Sequence, residues 1–301
     1  MKALGISVGR PNGNSEVLAK EALMEIKKVT GAEVEVLRVL DLFIKPCTGC
    51  ESCMISMLKG EGKPCILKDD HMPFFLDKLA ESNAVIFSAP AYELMPPGIL
   101  IMISNRMLGS GKAFREKSMK NPKVVGAITL GGTDWTNLVL PLTVLSAHMA
   151  GGKLVDQMLV EYVTRPAQVV LREEAIARAK KLGHNVGEAM KIPFEKVKYV
   201  GDEEEACPVC HQNLLSIRGK EVECPICDIR GTIDTSGKKL KVIFSEEQLQ
   251  KQRFGPWGTK RHNDAITEHH IIFNENRDTV RERLEKYKKF GSISKPPKLE
   301  S

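Results

Sequence analysis

The sequence has no long hydrophobic run and no dense block of charge. None of its 301 residues lies in an apolar stretch of the roughly eighteen positions that a membrane-spanning helix needs. The first residues become polar too soon for a secretory signal peptide, so we expect a cytoplasmic protein with no membrane partner. The formal charge of +6 is modest and spread along the chain, which argues against nucleic acid as a partner.

Long internal repeats and low-complexity segments are also absent from the sequence. Hydrophobic residues make up 42% of the chain and charged residues 27%, which is the composition of a globular protein. The length allows one domain of about 180 to 200 residues and a smaller module. The chain is therefore long enough to bury a hydrophobic core.

Short apolar segments alternate with amphipathic ones through about the first 190 residues. Strands are predicted at residues 3–9, 33–39, 84–88, 123–129 and 153–160, and helices at residues 15–29, 137–150 and 172–190. This alternation predicts an α/β fold with a doubly wound parallel sheet of five strands, whose ligands bind at the carboxyl ends of the strands. The pattern stops near residue 193, before an acidic run at 202–205. We therefore predict a ligand-binding domain at residues 1–195 and a small domain at residues 196–301.

A glycine-containing polar segment joins the first predicted strand to the first helix, and it reads Ser7-Val8-Gly9-Arg10-Pro11-Asn12-Gly13-Asn14-Ser15. Glycines allow a sharp turn, and side-chain and backbone donors at a helix start can surround a phosphate. The segment matches neither the dinucleotide-binding G-x-G-x-x-G nor the Walker loop, which argues against a dinucleotide or ATP. The alternative is a helix cap built from Asn14 or Ser15 without any ligand.

Two further loops carry a family resemblance together with the first. They are Ser88-Ala89-Pro90-Ala91-Tyr92 and Thr129-Leu130-Gly131-Gly132-Thr133. The three loops resemble those of the flavodoxin-like, NAD(P)H-dependent FMN reductase family, and within it the iron–sulfur flavoproteins, over roughly residues 1–190. The resemblance implies that the FMN phosphate is bound by Ser7, Arg10, Asn12, Asn14 and Ser15. It implies that the isoalloxazine is bordered by Pro90, Ala91, Tyr92, Glu93, Gly131 and Gly132.

The sequence departs from that family next to both ring-binding loops. Glu93-Leu94-Met95-Pro96-Pro97 replaces the usual small polar residues, and Asp134-Trp135 replaces further glycines. Trp135 can cover a ring face, whereas the alternative for a large aromatic residue at a strand end is a place in the core or in an interface.

Eight cysteines form two groups of four, and clustered cysteines in a cytoplasmic chain more often serve metals or catalysis than disulfides. The first group lies in the loop at residues 46–66 and consists of Cys47, Cys50, Cys53 and Cys65. Two successive x2 spacings let one loop wrap three thiolates around one centre, which favours a [4Fe–4S] cluster over zinc. Iron–sulfur flavoproteins have a similar run, although the gap before Cys65 is longer here. Free thiols or another metal are the alternatives.

An acidic pair, Asp69-Asp70, follows the first cysteine group, as in the iron–sulfur flavoproteins. We interpret the pair as a helix cap and solvated charges and not as catalytic carboxylates.

The second group consists of two Cys-x2-Cys pairs separated by thirteen residues, Cys207 with Cys210 and Cys224 with Cys227. Each pair can offer two thiolates from one turn, and this layout predicts a zinc-ribbon-like module with structural Zn2+. A rubredoxin-type iron site is the alternative, but glycine usually follows the second cysteine of each pair there, and His211 and Asp228 occupy those positions. Beyond the module we predict a strand at 238–244, an irregular connection at 253–270 and a charged helix at 278–289.

The leading functional hypothesis is electron transfer through FMN and a [4Fe–4S] cluster. A nicotinamide cofactor or a ferredoxin-like redox protein is the predicted donor or acceptor, and Tyr92 and Glu93 are the candidate catalytic residues for tuning the flavin or moving a proton. One alternative is a two-electron quinone or FMN reductase with no cluster. Another is a flavin-dependent sensor or scaffold whose zinc ribbon and basic tail bind a partner. The family resemblance also implies a homo-oligomer, either a dimer or a tetramer.

Overall fold

The computed structural model describes residues 1–202, 207–237 and 241–288. The chain divides into two compact units, Met1–Phe254 and Gly255–Ser301, and each is described by itself. Among the described helices, none combines the length and the apolar character that crossing a membrane requires.

A parallel sheet of five strands forms the centre of the first unit, in the order β2-β1-β3-β4-β5. The strands are β1 Lys2–Ser7, β2 Glu33–Arg38, β3 Ala84–Pro90, β4 Lys123–Leu130 and β5 Gly152–Val160. The doubly wound parallel sheet of the prediction is confirmed. The register pairs Ser7 with both Arg38 and Ser88, so the carboxyl ends of the first three strands meet at one edge.

Helices cover both faces of this sheet. They are α1 Asn14–Thr30, α2 Ser52–Leu58, α3 Met72–Glu81, α4 Gly98–Arg106, α5 Gly111–Lys120, α6 Val139–Met149 and α7 Glu173–Ala189. Helices α1 and α7 bury their apolar residues on one face, and α3, α4 and α6 bury theirs on the other. Coverage on both sides explains why every residue of β4 is buried. At Gly183 of α7 an added Cβ would lie 2.3 Å from the carbonyl oxygen of Ala22, so glycine permits the close approach of α7 to α1.

An antiparallel sheet of four strands, in the order β6-β7-β8-β9, follows within the first unit. Its strands are β6 Ser216–Arg218, β7 Glu221–Glu223, β8 Arg230–Asp234 and β9 Lys241–Phe244, and helix α8 Glu246–Gln250 comes next. The predicted small strand-rich module is confirmed. Of the strand predicted at 238–244, the structure has β9, whereas residues 238–240 lie outside the described residues. The core of the module is small and contains Ile226 and Ile229 beside the four cysteines.

The predicted boundary between residues 195 and 196 stays a prediction. The parallel sheet and the cysteine module belong to the same compact unit, and Leu145 of α6 packs against the buried cysteines. Of the acidic run at 202–205, only Asp202 is among the described residues, and its carboxylate lies 2.7 Å from the Lys181 ammonium.

The second unit, as far as it is described, consists of α9 Pro256–Glu275 and α10 Arg277–Lys288. The predicted irregular connection at 253–270 is wrong, because most of that stretch lies in α9. Pro256 suits the first helical turn through its fixed φ, and no glycine or proline interrupts the chain from residue 259 to residue 275. The charged helix predicted at 278–289 corresponds to α10, and residue 289 lies outside the described residues.

Candidate active site and metal centre

A cavity of about 270 Å³ opens at the carboxyl edge of the parallel sheet. It is lined by Gly9, Arg10, Gly13, Asn14, Ser15, Pro90, Ala91, Tyr92, Leu130, Gly131, Gly132, Val163 and Thr164. The structure thus brings all three predicted loops to one cavity. Of the predicted cofactor residues, Ser7, Asn12 and Glu93 are not among those that line it. The loop after β5, which contributes Val163 and Thr164, was not predicted.

The first loop leaves the start of α1 open. Gly13 precedes the helix, and no side chain caps it, so the first backbone N–H groups of the helix keep their capacity for an acceptor. At Gly9 an added Cβ would lie 2.4 Å from the Ser15 hydroxyl and 3.2 Å from Pro90, so only glycine lets the first and second loops approach this closely. This edge of the cavity is therefore a donor-rich site for an anion.

Ser7 lies at the end of β1, beneath the loop. Its hydroxyl is buried and has no hydrogen-bond partner among the described residues. A buried polar atom without a partner is uncommon, and it marks a place where a ligand or a water molecule is expected.

The Asn14 side chain ties the first loop to the loop after β5. Its amide nitrogen donates to the carbonyl oxygens of Val163 at 3.0 Å and Arg165 at 2.9 Å. Its amide oxygen accepts the backbone N–H of Val169 at 3.0 Å. Arg10 adds a second link, since its guanidinium donates to the carbonyl oxygen of Thr164 at 3.4 Å. The Asn14 side chain thus holds the cavity wall together, and these bonds occupy both ends of its amide.

A buried carboxylate lies behind the loop. Glu16 accepts two hydrogen bonds from Arg38, at 2.8 and 2.9 Å, and pairs with Lys20. It also accepts the backbone N–H of Asn12 at 3.0 Å, and Asn12 adopts a left-handed conformation with φ of 55°. The hydrogen bonds from Arg38, aided by Lys20 and Asn12, lower the pKa of Glu16 to about 2 against the opposing effect of burial.

The second loop makes a tight turn at the cavity mouth. Ala91 donates its backbone N–H to Leu130 at 2.7 Å, and Tyr92 and Met95 exchange backbone hydrogen bonds of 2.7 and 3.3 Å. The two residues at the tip, Glu93 and Leu94, have φ values of 50° and 72°. Residues other than glycine adopt these angles at a cost in free energy, which clusters at functional sites. Tyr92 faces the cavity, whereas Glu93 lies exposed at the tip of the turn.

The third loop is fixed to the end of β5. Gly131 donates its N–H to Val160 at 2.8 Å and accepts from Val163 at 3.0 Å. An added Cβ at Gly131 would lie 2.3 Å from Thr136, whose hydroxyl bonds to the Glu161 carboxylate at 2.6 Å. The loop therefore has no room for a side chain at this position.

Three large aromatic side chains are exposed on these loops. Tyr92 is 50% exposed, Trp135 is 61% exposed and Tyr162 is 60% exposed. Trp135 is therefore not a core residue, which removes one of the two alternatives for it. Exposed aromatic side chains on loops that form a cavity are suited to contacts with a flat ligand or a second protein surface.

The ends of the first cysteine loop are joined by a buried ion pair. The Arg106 guanidinium bonds to the carbonyl oxygens of Lys45 at 3.3 Å and Leu67 at 2.9 Å, and it also contacts the Asp70 carboxylate. Asp70 accepts the N–H of Met72, the first residue of α3, at 3.1 Å, whereas the N-cap position of that helix is His71. The prediction that Asp70 is solvated is wrong, because its side chain is fully buried by its pairing with Arg106.

The first cysteine group lies on this loop at the surface. Cys47 and Cys50 are exposed, and Cys53 and Cys65 are half-buried. Burial raises the pKa of the Cys53 thiol, and the nearby Cys65 and Cys47 raise it further, which places each of those two thiols within electrostatic reach of Cys53. In contrast, hydrogen bonds from the backbone and hydroxyl of Ser52 lower the pKa of Cys50.

The second cysteine group forms a closed metal site. Cys207, Cys210, Cys224 and Cys227 are fully buried, and their sulfur atoms all lie within 4.8 Å of one another. The sulfur atoms of Cys207 and Cys227 are 3.2 Å apart, and those of Cys210 and Cys224 are 3.4 Å apart. Four thiolates around one metal ion with bonds of about 2.3 Å have a similarly compact arrangement. Within the described part of the chain, no other set of three or more cysteine, histidine or acidic residues meets this spacing.

The sequence alone did not identify the residues that reach the site only because distant parts of the chain come together in the fold. Val163 and Thr164 carry no local signal, because they reach the cavity only through the end of β5. Glu16 is an acidic residue in a first helical turn, and Arg38 ends a predicted strand, so their pairing depends on the strand register. The parallel pairing of β1 and β2 places Arg38, at the end of β2, beside the end of β1, and this placement is the signal that could have indicated the pair.

Comparisons with known proteins agree with this geometry. The model of the NADPH-dependent FMN reductase family matches residues 1–179. A flavone synthase of Aspergillus candidus is 28% identical over 252 residues, which are 77% of this chain and 77% of that protein. An iron–sulfur flavoprotein of Methanocaldococcus jannaschii is 34% identical over 139 residues, which are 45% of this chain and 67% of that protein.

Among solved structures, that of a flavone reductase matches with a TM-score of 0.76 and 25% identity, and the match covers 99% of this chain and 100% of that chain. The similarity extends through the flavodoxin-like sheet and the cysteine module. The chain belongs to the NADPH-dependent FMN reductase family and is a flavin-dependent oxidoreductase.

Proposed function

We propose that the protein uses FMN to move two electrons from NAD(P)H to a planar conjugated organic acceptor, with cofactor and acceptor both bound at the cavity of the parallel sheet. The observation that carries this proposal is the convergence of three loops on one cavity beside an uncapped helix start. FMN supplies the hydride chemistry, and the protein supplies binding, orientation and exclusion of water.

The residues around the cavity fit FMN. The open N–H groups at the start of α1, the Ser15 hydroxyl and the Arg10 guanidinium suit the phosphate. The unpaired hydroxyl of Ser7 offers a further donor beneath the loop. In this assignment the Asn14 side chain fixes the wall, and the backbone of Asn14 contributes to phosphate binding.

The ring side of the cavity suits a flat heterocycle. Pro90 and Ala91 offer an apolar edge, and the bare backbone of Gly131 and Gly132 lets a ring lie against the third loop. Tyr92 is the catalytic residue that we assign to proton delivery or to ring contact. Glu93 at the exposed tip acts on the position of Tyr92 through the strained turn.

The choice of acceptor is supported by the whole-chain similarity to a flavone reductase, by Tyr92 in the cavity lining, and by the exposed Trp135 and Tyr162, which lie close in sequence to lining residues. A flat conjugated carbonyl compound can stack on Trp135 or Tyr162 while it faces the flavin. Overall, NAD(P)H gives up one hydride and becomes NAD(P)⁺. The acceptor gains the equivalent of that hydride, which carries both electrons, and one proton from solvent.

The proposal is tested by anaerobic half-reactions of the FMN-loaded protein. NADPH or NADH should bleach the flavin absorbance, and flavone or a quinone should restore it in the absence of oxygen. Trp135→Ala should slow the second half-reaction about tenfold and leave the first within about twofold, because the lost stacking concerns the acceptor. Trp257→Ala, which changes the other tryptophan, on α9, is the matched control. A flavin that no nicotinamide reduces would refute the proposal.

A second candidate is one-electron transfer through a [4Fe–4S] cluster at Cys47, Cys50, Cys53 and Cys65. It is supported by the iron–sulfur flavoprotein relatives and by the proximity of three of these thiols. Sulfur atoms spread more widely than in the second group suit a cluster of several irons better than a single ion. Iron and acid-labile sulfide in anaerobically purified protein, together with electron delivery to a ferredoxin-like acceptor, would favour this candidate over the first.

Further assignments belong to the same proposal. Zn2+ in the second cysteine group would act structurally, because four thiolates leave no open coordination position. We also propose a cytoplasmic homo-oligomer, a dimer or a tetramer, in which the exposed aromatic loops face a second copy or the acceptor.

A further inference from the structure

Glu16 lies where an acidic residue looks unfavourable. It follows Ser15 in the first turn of α1, directly behind the loop to which we assign the FMN phosphate, and its side chain is 1% exposed. A buried carboxylate near a phosphate adds repulsion unless its charge is compensated. Arg38 and Lys20 supply that compensation, so the cluster carries one net positive charge.

The carboxylate also determines the shape of the loop. It accepts the backbone N–H of Asn12, and Arg38 reaches the side-chain oxygen of Asn12 at 3.5 Å. Asn12 is held in the left-handed conformation, and the next residue, Gly13, donates its N–H to Arg10 at 3.1 Å. These bonds fix the last residues before the open N–H groups of α1.

We propose that Glu16, paired with Arg38, is a positioning residue that preorganises the phosphate loop and thereby gives the site its preference for FMN over riboflavin. This inference rests on the assignment of the phosphate to residues 7–15. A charge-assisted hydrogen bond already holds the turn of the loop before FMN binds. The loop therefore loses less conformational entropy on binding.

Two opposite effects compete at Glu16, and their balance makes the inference testable. Removing the negative charge frees Arg38 and Lys20 to attract the phosphate, which would strengthen FMN binding. Removing the acceptor of the Asn12 N–H releases the loop, which would weaken it. We expect the second effect to dominate, because the hydrogen bond is direct and buried, whereas the charge acts on the phosphate across the loop.

The experiment measures dissociation constants of FMN and riboflavin by flavin fluorescence, for the unaltered protein and for Glu16→Gln. Glutamine has one acceptor oxygen where the carboxylate has two, so it can accept only some of the hydrogen bonds that Glu16 accepts. We therefore expect the dissociation constant of FMN to rise about tenfold and that of riboflavin to change by less than about twofold. Glu25→Gln, on the same helix but paired with Lys28, should leave both constants unchanged. Thermal unfolding of each variant confirms that the compared proteins are folded.

Arg38→Met provides a second variant. It leaves the carboxylate without its bidentate partner, so it should weaken FMN binding more than Glu16→Gln does, and the double variant should recover part of the loss. Tighter FMN binding by Glu16→Gln, or an equal loss for FMN and riboflavin, would overturn the inference. If the unaltered protein itself fails to prefer FMN over riboflavin, the phosphate assignment is wrong, and this outcome is distinct from a failure of Glu16 alone.

Discussion

The side-chain amide of Gln157 donates a hydrogen bond to the backbone carbonyl of His211 at 2.6 Å. Gln212 completes the contact by donating to the Gln157 side-chain oxygen at 2.5 Å, and both glutamines are buried. Gln157 belongs to β5, and His211 directly follows the metal-binding Cys210. The cysteine module is therefore attached to the strand whose following loop lines the cavity.

Removing the metal should loosen this attachment. Four buried thiols without an ion lose the bonds that hold the module, because its own apolar core is small. We expect a chelator to increase hydrogen exchange first at residues 207–229 and then at the middle of β5, as measured by mass spectrometry. An unchanged exchange pattern in protein whose metal has been shown to leave would contradict the structural role of the metal.

Replacing Cys53 should show whether the two cysteine groups bind different metals. Cys53→Ser removes the thiol that lies within electrostatic reach of both Cys47 and Cys65, so we expect loss of iron and sulfide with FMN and zinc retained. Cys207→Ser is the matched control, and it should lose zinc and keep iron. Metal, sulfide and flavin are measured on one anaerobic sample. The absence of iron and sulfide from the unaltered protein would contradict the predicted cluster at the first cysteine group.

Lys123 should make stability depend on pH. It is 1% exposed at the start of β4, and burial lowers its pKa from 10.5 to about 8. Between these values the unfolded chain binds more protons than the folded protein, so the free energy of unfolding rises with pH from about 8 to about 10.5. Below pH 8 the cost of the buried charge is fully present.

Lys123→Met should therefore stabilise the protein at pH 7 by about 1 to 3 kcal/mol, and the gain should shrink as the pH approaches 10. Urea unfolding at several pH values measures this difference. Lys117→Met, at a partly exposed lysine on α5, is a control that should show no such trend. A variant difference that stays constant from pH 7 to pH 10 would contradict the assigned pKa.

Asn14 should matter for both stability and flavin binding. Asn14→Ala removes three hydrogen bonds that join α1 to the loop after β5, which should cost about 2 to 3 kcal/mol of unfolding free energy. Because Val163 and Thr164 then lose their position, the FMN dissociation constant should also rise. Unchanged urea unfolding would show that these bonds contribute nothing net.

The fold was predictable where its signals are local. The apolar run at 84–88 and the alternation with amphipathic segments predict the strands within two residues of their observed bounds, because a sheet covered on both faces needs continuous apolar residues. The helix α9 was missed because its composition is polar and its apolar residues, such as Ile271 and Phe273, form no clear stripe.

The site was predictable in part for the same reason. Glycines and small polar residues between strand and helix mark the three loops, and the cysteine spacings mark the module. The roles of individual side chains depend on contacts between distant residues. The Asn14 side chain is hydrogen-bonded to Val163, which lies 149 residues away in the sequence. The Asp70 carboxylate is buried against Arg106, which lies 36 residues away. Neither contact leaves a pattern in the local sequence.

The proposed FMN site is the cavity beside the start of α1, and an equilibrium titration of flavin-free protein with FMN tests it. We expect saturable quenching of flavin fluorescence with one FMN per chain, and weaker binding of riboflavin. Protein that leaves the fluorescence of FMN unchanged at every concentration would contradict it.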